Sequence, residues 1–303
     1  MAKAPNGTRT PRQTIRRSLT MAVASLILVI LGAGPAAATW SVVGVDPDSG
    51  EVGAAIASCV PAYALGDLEK PLSLLALAPG KGVGVSQALV NDDVPPVMLQ
   101  MLIDSSSAAD VIAAVSSEDF DSDRAVRQHG VATLNGGSAS YTGEETDEVS
   151  GDLQAQNVAA QGNTLVSEEV ATNALAGFQD PAHPDLAARL VAALQAGSDA
   201  GGDSRCGAQT ALFAEVVVVA LADDPSEPTV MLLTTVDKGS GLNPVDLLTA
   251  EFEKGQRQNS ILLATDTSPL VWILLIVGVV AMLAATAIGV VIWKFVRRSR
   301  RTS

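Results

Sequence analysis

The chain has 303 residues, 48% of them hydrophobic, which is enough for one or two globular domains with an apolar core. Segment 39–269 contains all 33 acidic residues but only nine of the 19 basic ones, a net charge of about −24. Binding of nucleic-acid phosphates needs clustered Lys and Arg, so this charge excludes nucleic acid as a partner and is typical of a solvated exterior.

Residues 1–38 have the layout of a secretory signal peptide. Five basic residues precede an apolar run at 21–31, the small-residue sequence GAGPAAA follows it, and the segment has no acidic residue. The run is short for a membrane span, and an uncleaved signal anchor is the alternative. Ala36 and Ala38 fit the A-x-A pattern of leader-peptidase sites, so the mature chain is predicted to begin at Thr39.

Segment 39–255 is predicted to form one exported domain. Apolar β-type runs bounded by turn residues predict strands at 39–45, 51–58, 72–79, 82–90, 127–134, 138–142, near 153–160, at 209–221 and at 229–237. Helical periodicity predicts helices at 95–104, 107–117 (with Ser107 as N-cap), 167–178, 184–196 and 243–256. Strand pairs that alternate with helix pairs indicate the α+β class, as a four-layer αββα sandwich with two largely antiparallel sheets inside.

Residues 270–293 are predicted to be a C-terminal transmembrane helix. None of these 24 residues is charged, and a helix of that length, about 36 Å, would cross a hydrocarbon core of about 30 Å. Trp272 and Trp293 lie near its ends, and five basic residues follow in 294–303. We therefore expect a linker at 256–269 before the helix and a basic cytoplasmic tail at 294–303 after it. The membrane would be a partner of the chain, which is expected to be a single-pass protein of the cell membrane with its N-terminal domain extracytoplasmic.

The two cysteines, Cys59 and Cys206, both lie in the exported segment, where an oxidising compartment favours a disulfide between them. Two buried free thiols are the alternative. His129 and His183 are isolated, and the sequence has no CxxC motif. We therefore expect no metal site and no cofactor.

A mature chain that starts at Thr39 would have a nucleophile and a base on one residue. The α-amine ordinarily has a pKa of about 7.7–8.0, so part of it is neutral near pH 7 and can accept the proton of the side-chain hydroxyl. This is the threonine variant of an activated nucleophile.

Four motifs in order along the chain resemble a known family: TWSVVGVDPDSGEVGAAIASCVPAY from Thr39, SQALVN from Ser86, QGN at 161–163, and AGGDSRCGAQTA from Ala200. Together they resemble the domain-of-unknown-function family 1028. That family is similar in fold to the N-terminal-nucleophile hydrolases, a superfamily that includes proteasome subunits and amidohydrolases. The resemblance implies an amide-bond hydrolase with Thr39 as nucleophile, acting on a small-molecule or peptide substrate. Leu89 departs from the family, which often has Trp at that position.

The motif residues predict the catalytic site, each with a structural alternative. Asn163 is expected to donate to the oxyanion, although Gly-Asn is also a common turn. Asp203 and Arg205 are expected to form a bidentate pair that either tunes the Thr39 amine or fixes the loop.

The predicted substrate-binding residues have structural alternatives too. Ser58 is expected either to donate to an oxyanion or to cap its strand. Gln87 and Asn91 either orient an amide substrate or bond to neighbouring backbone. The alternative function is a non-catalytic module that binds a ligand or partner on the same fold. The sequence leaves the oligomeric state open, a homo-oligomer included.

Overall fold

The computed structural model describes residues 39–61, 71–146, 149–220 and 228–255. The strands are β1 (Thr39–Asp46), β2 (Glu51–Ser58), β3 (Leu75–Ala78), β4 (Gly82–Ala88), β5 (Arg127–Thr133), β6 (Gly137–Thr142), β7 (Gly151–Ala155), β8 (Val158–Asn163), β9 (Phe213–Val219) and β10 (Val230–Thr235). The α-helices are α1 (Val94–Ile103), α2 (Ala108–Val115), α3 (Glu169–Gln179), α4 (Leu186–Asp199) and α5 (Pro244–Glu253). Short 3-10 helices cover Pro71–Leu74, Arg124–Val126 and Gly207–Gln209.

The strands form two antiparallel sheets. The six-stranded sheet has the order β10-β9-β2-β1-β8-β7, and the four-stranded sheet has the order β3-β4-β5-β6. Because successive side chains of a strand point to opposite faces, each sheet has one face toward the other sheet and one face toward helices. Val43 of β1 and Val217 of β9 belong to the apolar core between the sheets, together with Val85 of β4.

Helices cover the outer faces of both sheets. Trp40 of β1 and Val216 of β9 pack in one cluster with residues of α3, α4 and α5. Val131 of β5 packs with Met98 of α1 and Val111 of α2 on the outer face of the four-stranded sheet. Strand β9 is buried along its whole length because it has a core layer on each side.

Local sequence explains the tight connections. Strands β1 and β2 are paired up to Asp46 and Glu51, and the turn between them ends at Gly50 with a φ of +75°. Ser107 is confirmed as the N-cap of α2, because its hydroxyl accepts the N–H of Asp110 at 3.1 Å.

One strand prediction is wrong. The single strand expected near 153–160 is a hairpin, in which β7 pairs with β8 and Ala155 lies opposite Val158. The tight turn between them places Asn157 at a φ of +69°, a left-handed conformation that Asn tolerates better than most residues.

The fold class predicted from the sequence is wrong as stated, because it included a C-terminal transmembrane helix. The part of the chain that the structure describes is a mixed α/β arrangement with two antiparallel sheets and five α-helices. Within residues 39–61, 71–146, 149–220 and 228–255, no helix has both the length and the apolar character that crossing a membrane requires. The predicted signal peptide (1–38), linker (256–269), membrane span (270–293) and cytoplasmic tail (294–303) all lie outside the described residues.

The predicted pairing of Cys59 with Cys206 is confirmed. Their sulfur atoms are 2.01 Å apart and their Cα atoms 5.6 Å apart, which is disulfide geometry. Both cysteines pack in a small apolar cluster with Leu212 and Val236. The bond connects the end of β2 to the loop before β9.

Candidate functional site

Thr39 is the first residue of β1, which lies between β2 and β8 in the six-stranded sheet. In the register of these two pairs, Thr39 lies directly opposite Ser58 on one side and Asn163 on the other. The Cβ atoms of opposed residues are about 4.5–5.5 Å apart, so the three side chains share one face at one end of the sheet. Only 2% of Thr39 is exposed.

Asp203 lies beyond the ends of the two strands that flank β1, on the side of Thr39. Its backbone forms an antiparallel bridge with Leu165, which follows β8. Its carboxylate accepts the N–H of Cys59, which follows β2, at 2.8 Å. Since β1 lies between β2 and β8, Asp203 lies in line with the start of β1. Arg205 donates to the same carboxylate through Nε at 3.1 Å and Nη2 at 2.8 Å, so the pair also fixes this loop.

A buried glutamine of β5, Gln128, connects the two sheets. Its Nε2 donates to the backbone carbonyl oxygens of Gly151 at 3.1 Å and Gly162 at 2.8 Å. Its Oε1 accepts from Gln87 Nε2 at 2.8 Å and from Asn163 Nδ2 at 3.1 Å. Backbone carbonyls can only accept hydrogen bonds, so they determine which end of each of these three side-chain amides is the nitrogen.

The same network continues along β1. Gln87 Nε2 also donates to the carbonyl oxygen of Thr39 at 3.3 Å, and Gln87 Oε1 accepts from the hydroxyl of Ser41 at 2.6 Å. Gln161 Nε2 donates to the hydroxyl of Ser41 at 2.6 Å and to its carbonyl at 3.1 Å. The other end of the Gln161 amide lies against Gly130, where a Cβ atom would be only 2.1 Å from Oε1. Glycine at this position therefore leaves the room that the amide needs.

Ser58 has the contacts of a strand cap. Its hydroxyl accepts the N–H of Val60 at 3.1 Å, and its carbonyl accepts the N–H of Leu212 at 2.7 Å. These bonds fix the end of β2 beside Thr39, and Ser58 is 1% exposed.

The structure places Asn91 in a separate cluster after the end of β4. Asn91 Nδ2 donates to the Asp121 carboxylate at 2.9 Å, and Arg127 Nε donates to the same carboxylate at 2.8 Å. Burial by itself would raise the pKa of Asp121, but hydrogen bonds from Arg127, Asn91 and the N–H of Asp123 lower it to about 2. Among the polar contacts of the described residues, Asn91 therefore belongs to an ion-pair cluster and not to the group around Thr39.

Sequence reasoning assigned no role to four buried polar residues near or beside the site: Ser41, Gln128, Gln161 and Glu215. The available signal was their position, since each interrupts the inward-facing apolar pattern of its strand. Single polar residues of this kind are common in strands, and only the pairing of sequence-distant strands brings three of them into one network.

The arrangement can hold a nucleophile, but the described residues offer no metal site. No group of three or more His, Cys, Asp or Glu side chains in the described ranges could hold a metal ion. Two surface cavities, of about 390 and 270 Å³, lie between helices α3–α5 and beside β7 and α3, and Thr39 lines neither. The start of β1 provides a buried residue with a hydroxyl group, Thr39, near side-chain amides whose orientations are fixed by hydrogen bonds.

Comparison with known proteins shows the family. The sequence model of the family of unknown function DUF1028 matches residues 39–241, starting at the first residue of β1. A crystal structure of a DUF1028 protein from Silicibacter pomeroyi is similar with a TM-score of 0.57 and 27% sequence identity, over 72% of this chain and 86% of that chain. No curated protein matches the chain. The expected likeness to N-terminal-nucleophile hydrolases stays a prediction. The family match covers well over half of the sequence, and the chain therefore belongs to the family of unknown function DUF1028.

Proposed function

We propose that the mature protein begins at Thr39 and that the Thr39 hydroxyl is the nucleophile of a hydrolase acting on an amide or a related acyl bond. The observation that supports this proposal best is the position of Thr39. It starts an inner strand, lies opposite Ser58 and Asn163, and has Asp203 in line with it. Removal of the residues before Thr39 would therefore expose an α-amine inside an ordered polar environment.

The chemistry follows from one residue with two functional groups. The Thr39 hydroxyl attacks the carbonyl carbon of the substrate while the neutral α-amine takes the hydroxyl proton. The amine passes that proton to the leaving nitrogen, the C–N bond breaks, and the acyl group remains on Thr39 as an ester. A water molecule, deprotonated by the same amine, then attacks the ester and releases the carboxylic acid, which restores Thr39.

The disulfide between Cys59 and Cys206 supports the export that this proposal requires. Disulfides persist in oxidising compartments, which is where a leader peptidase would cut after Ala38.

The burial of Thr39 favours a second candidate function, a module that binds a ligand or partner without catalysing a reaction. Thr39 is 2% exposed, and the amide nitrogens of Gln87 and Asn163 donate to Gln128 inside the domain. In a binding module these residues would serve the packing of the two sheets. Such a module would tolerate Thr39→Ala with little loss of ligand binding.

N-terminal sequencing of the mature protein, followed by labelling with an acylating electrophile, tests the proposal. We expect the mature chain to start at Thr39 and to form one covalent adduct on Thr39, located by peptide mass spectrometry. Labelling should persist in part in Thr39→Ser, vanish in Thr39→Ala, and be unchanged in Thr172→Ala, which removes an exposed hydroxyl on α3. Any other mature N-terminus would reject the hydrolase.

A further inference from the structure

Asn163 has a buried oxygen that lacks a hydrogen-bond partner. Its Oδ1 atom is inaccessible to solvent and accepts no hydrogen bond from the residues that the structure describes. Nearly all buried polar groups in proteins are paired, because an unpaired one loses its hydrogen bonds to water and gains none in the folded protein. Asn163 Oδ1 can therefore accept a hydrogen bond that the described residues do not supply.

The orientation of this amide is determined by its neighbours. Asn163 Nδ2 donates to Gln128 Oε1, and Gln128 Oε1 is the acceptor because the other end of that amide donates to the carbonyls of Gly151 and Gly162. Rotating the Asn163 amide would place two oxygens against each other. The group that Asn163 leaves without a partner is therefore an acceptor.

The donor that fits this acceptor is the new chain terminus. Asn163 lies directly opposite Thr39 in the β1–β8 pair. A peptide nitrogen at Thr39 has one N–H, whereas a free α-ammonium has three and a neutral α-amine still has two. We infer that Asn163 Oδ1 accepts a hydrogen bond from the α-amino group of mature Thr39 and thereby directs the lone pair of the amine toward the Thr39 hydroxyl.

This inference rests on the proposed start at Thr39, and it makes Asn163 a positioning residue for the catalytic base. Gln128 in turn positions Asn163. The side chains that face Thr39 from β2, β4, β5 and β8 are uncharged: Ser58, Gln87, Gln128 and Asn163. The charged or titratable groups on the other surrounding elements are Asp203 and its partner Arg205, Asp152 of β7 and Glu215 of β9.

The test measures the α-amine directly, with no substrate. The full mature chain is produced with Thr39 as its first residue, and the pKa of the α-amine is obtained from the pH dependence of reductive methylation at the N-terminal peptide. Asn163→Asp should raise this pKa by about 1 unit or more, because an opposite charge within about 4–6 Å stabilises the ammonium form. Asn163→Leu removes the acceptor and should lower it.

Asn157→Asp is the matched control, because it makes the same substitution in the turn before β8, about 20 Å along the strand from Asn163. It should leave the amine pKa unchanged. Equal shifts in Asn163→Asp and Asn157→Asp would overturn the inference, as would an unchanged pKa in a folded Asn163→Leu protein. If Asn163→Leu does not fold, the test rests on whether the α-amine pKa rises more in Asn163→Asp than in Asn157→Asp. An Asn163-dependent pKa without any Thr39 adduct would uphold this contact and reject the hydrolase.

Discussion

Glu215 provides the most direct test of how the two sheets pack. It lies in β9 opposite Ile56 of β2 and Leu233 of β10, with its side chain in the apolar layer between the sheets. It is 1% exposed, and neither carboxyl oxygen has a hydrogen-bond partner among the described residues. Burial raises the pKa of Glu215 from its ordinary 4.5 to about 8.

The sign of the pH dependence follows from that shift. The folded protein keeps the Glu215 proton up to about pH 8, whereas the unfolded chain loses it above about pH 4.5. Unfolding therefore releases a proton between these values, and stability falls as the pH rises through them. One pKa unit corresponds to about 1.4 kcal/mol. Relative to its value at a pH below 4.5, the free energy of unfolding is therefore lower by about 3 kcal/mol at pH 7 and by about 5 kcal/mol well above pH 8.

The perturbation is Glu215→Gln, measured by urea unfolding at pH 5, 7 and 9. Gln is neutral throughout, so the stability of the variant relative to the unsubstituted protein should increase by several kcal/mol from pH 5 to pH 9. Any constant cost of burying the amide cancels in this difference. Glu253→Gln, at an exposed position near the end of α5, is the control and should change stability by less than about 0.5 kcal/mol at each pH. A Glu215→Gln difference that is the same at pH 5 and pH 9 would refute the buried, unpaired carboxyl.

Two further predictions concern stability. Burial lowers the pKa of His129 to about 4 from its ordinary 6.5, so the unfolded chain takes up a proton first, and the contribution of His129 to stability should fall by about 3 kcal/mol as the pH drops from 6.5 to 4, opposite in sign to the Glu215 contribution over the same range. In urea unfolding, the stability of His129→Leu relative to the unsubstituted protein should therefore increase by about 3 kcal/mol from pH 6.5 to pH 4, and a difference that is the same at both pH values would contradict the assignment. Replacing Cys59 and Cys206 by Ser opens a link with a sequence separation of 147, which should cost about 5 kcal/mol on the chain-entropy model. Thermal unfolding with and without reductant checks this, since reductant should destabilise the protein and leave the double variant unaffected.

The sequence by itself determined the features that depend on neighbouring residues. The β1–β2 hairpin follows from two β-type runs and a turn that ends at Gly50, and the start of α2 follows from the Ser107 cap. Each of these is decided within a few residues, where side-chain period and turn chemistry act directly. The ordered motifs likewise were sufficient to indicate the family to which the chain belongs.

The alternation of side chains was insufficient where one long strand and two short strands joined by a tight turn produce the same pattern. The run near 153–160 resembles one strand, and only the pairing of β7 with β8 shows the turn at Asn157. Asn91 follows Gln87 closely in the sequence, but a bond to Asp121 draws it into another cluster.

Only the tertiary structure decided the composition of the site, because its members come from strands that are far apart in sequence. Thr39, Ser58 and Asn163 are neighbours because β1 pairs with both β2 and β8. Gln128 joins them through the packing of one sheet on the other, and its backbone partners determine which end of the Asn163 amide is an acceptor. A hydrogen-bond direction of this kind depends on atoms brought together only after both sheets have formed, so no local sequence pattern specifies it.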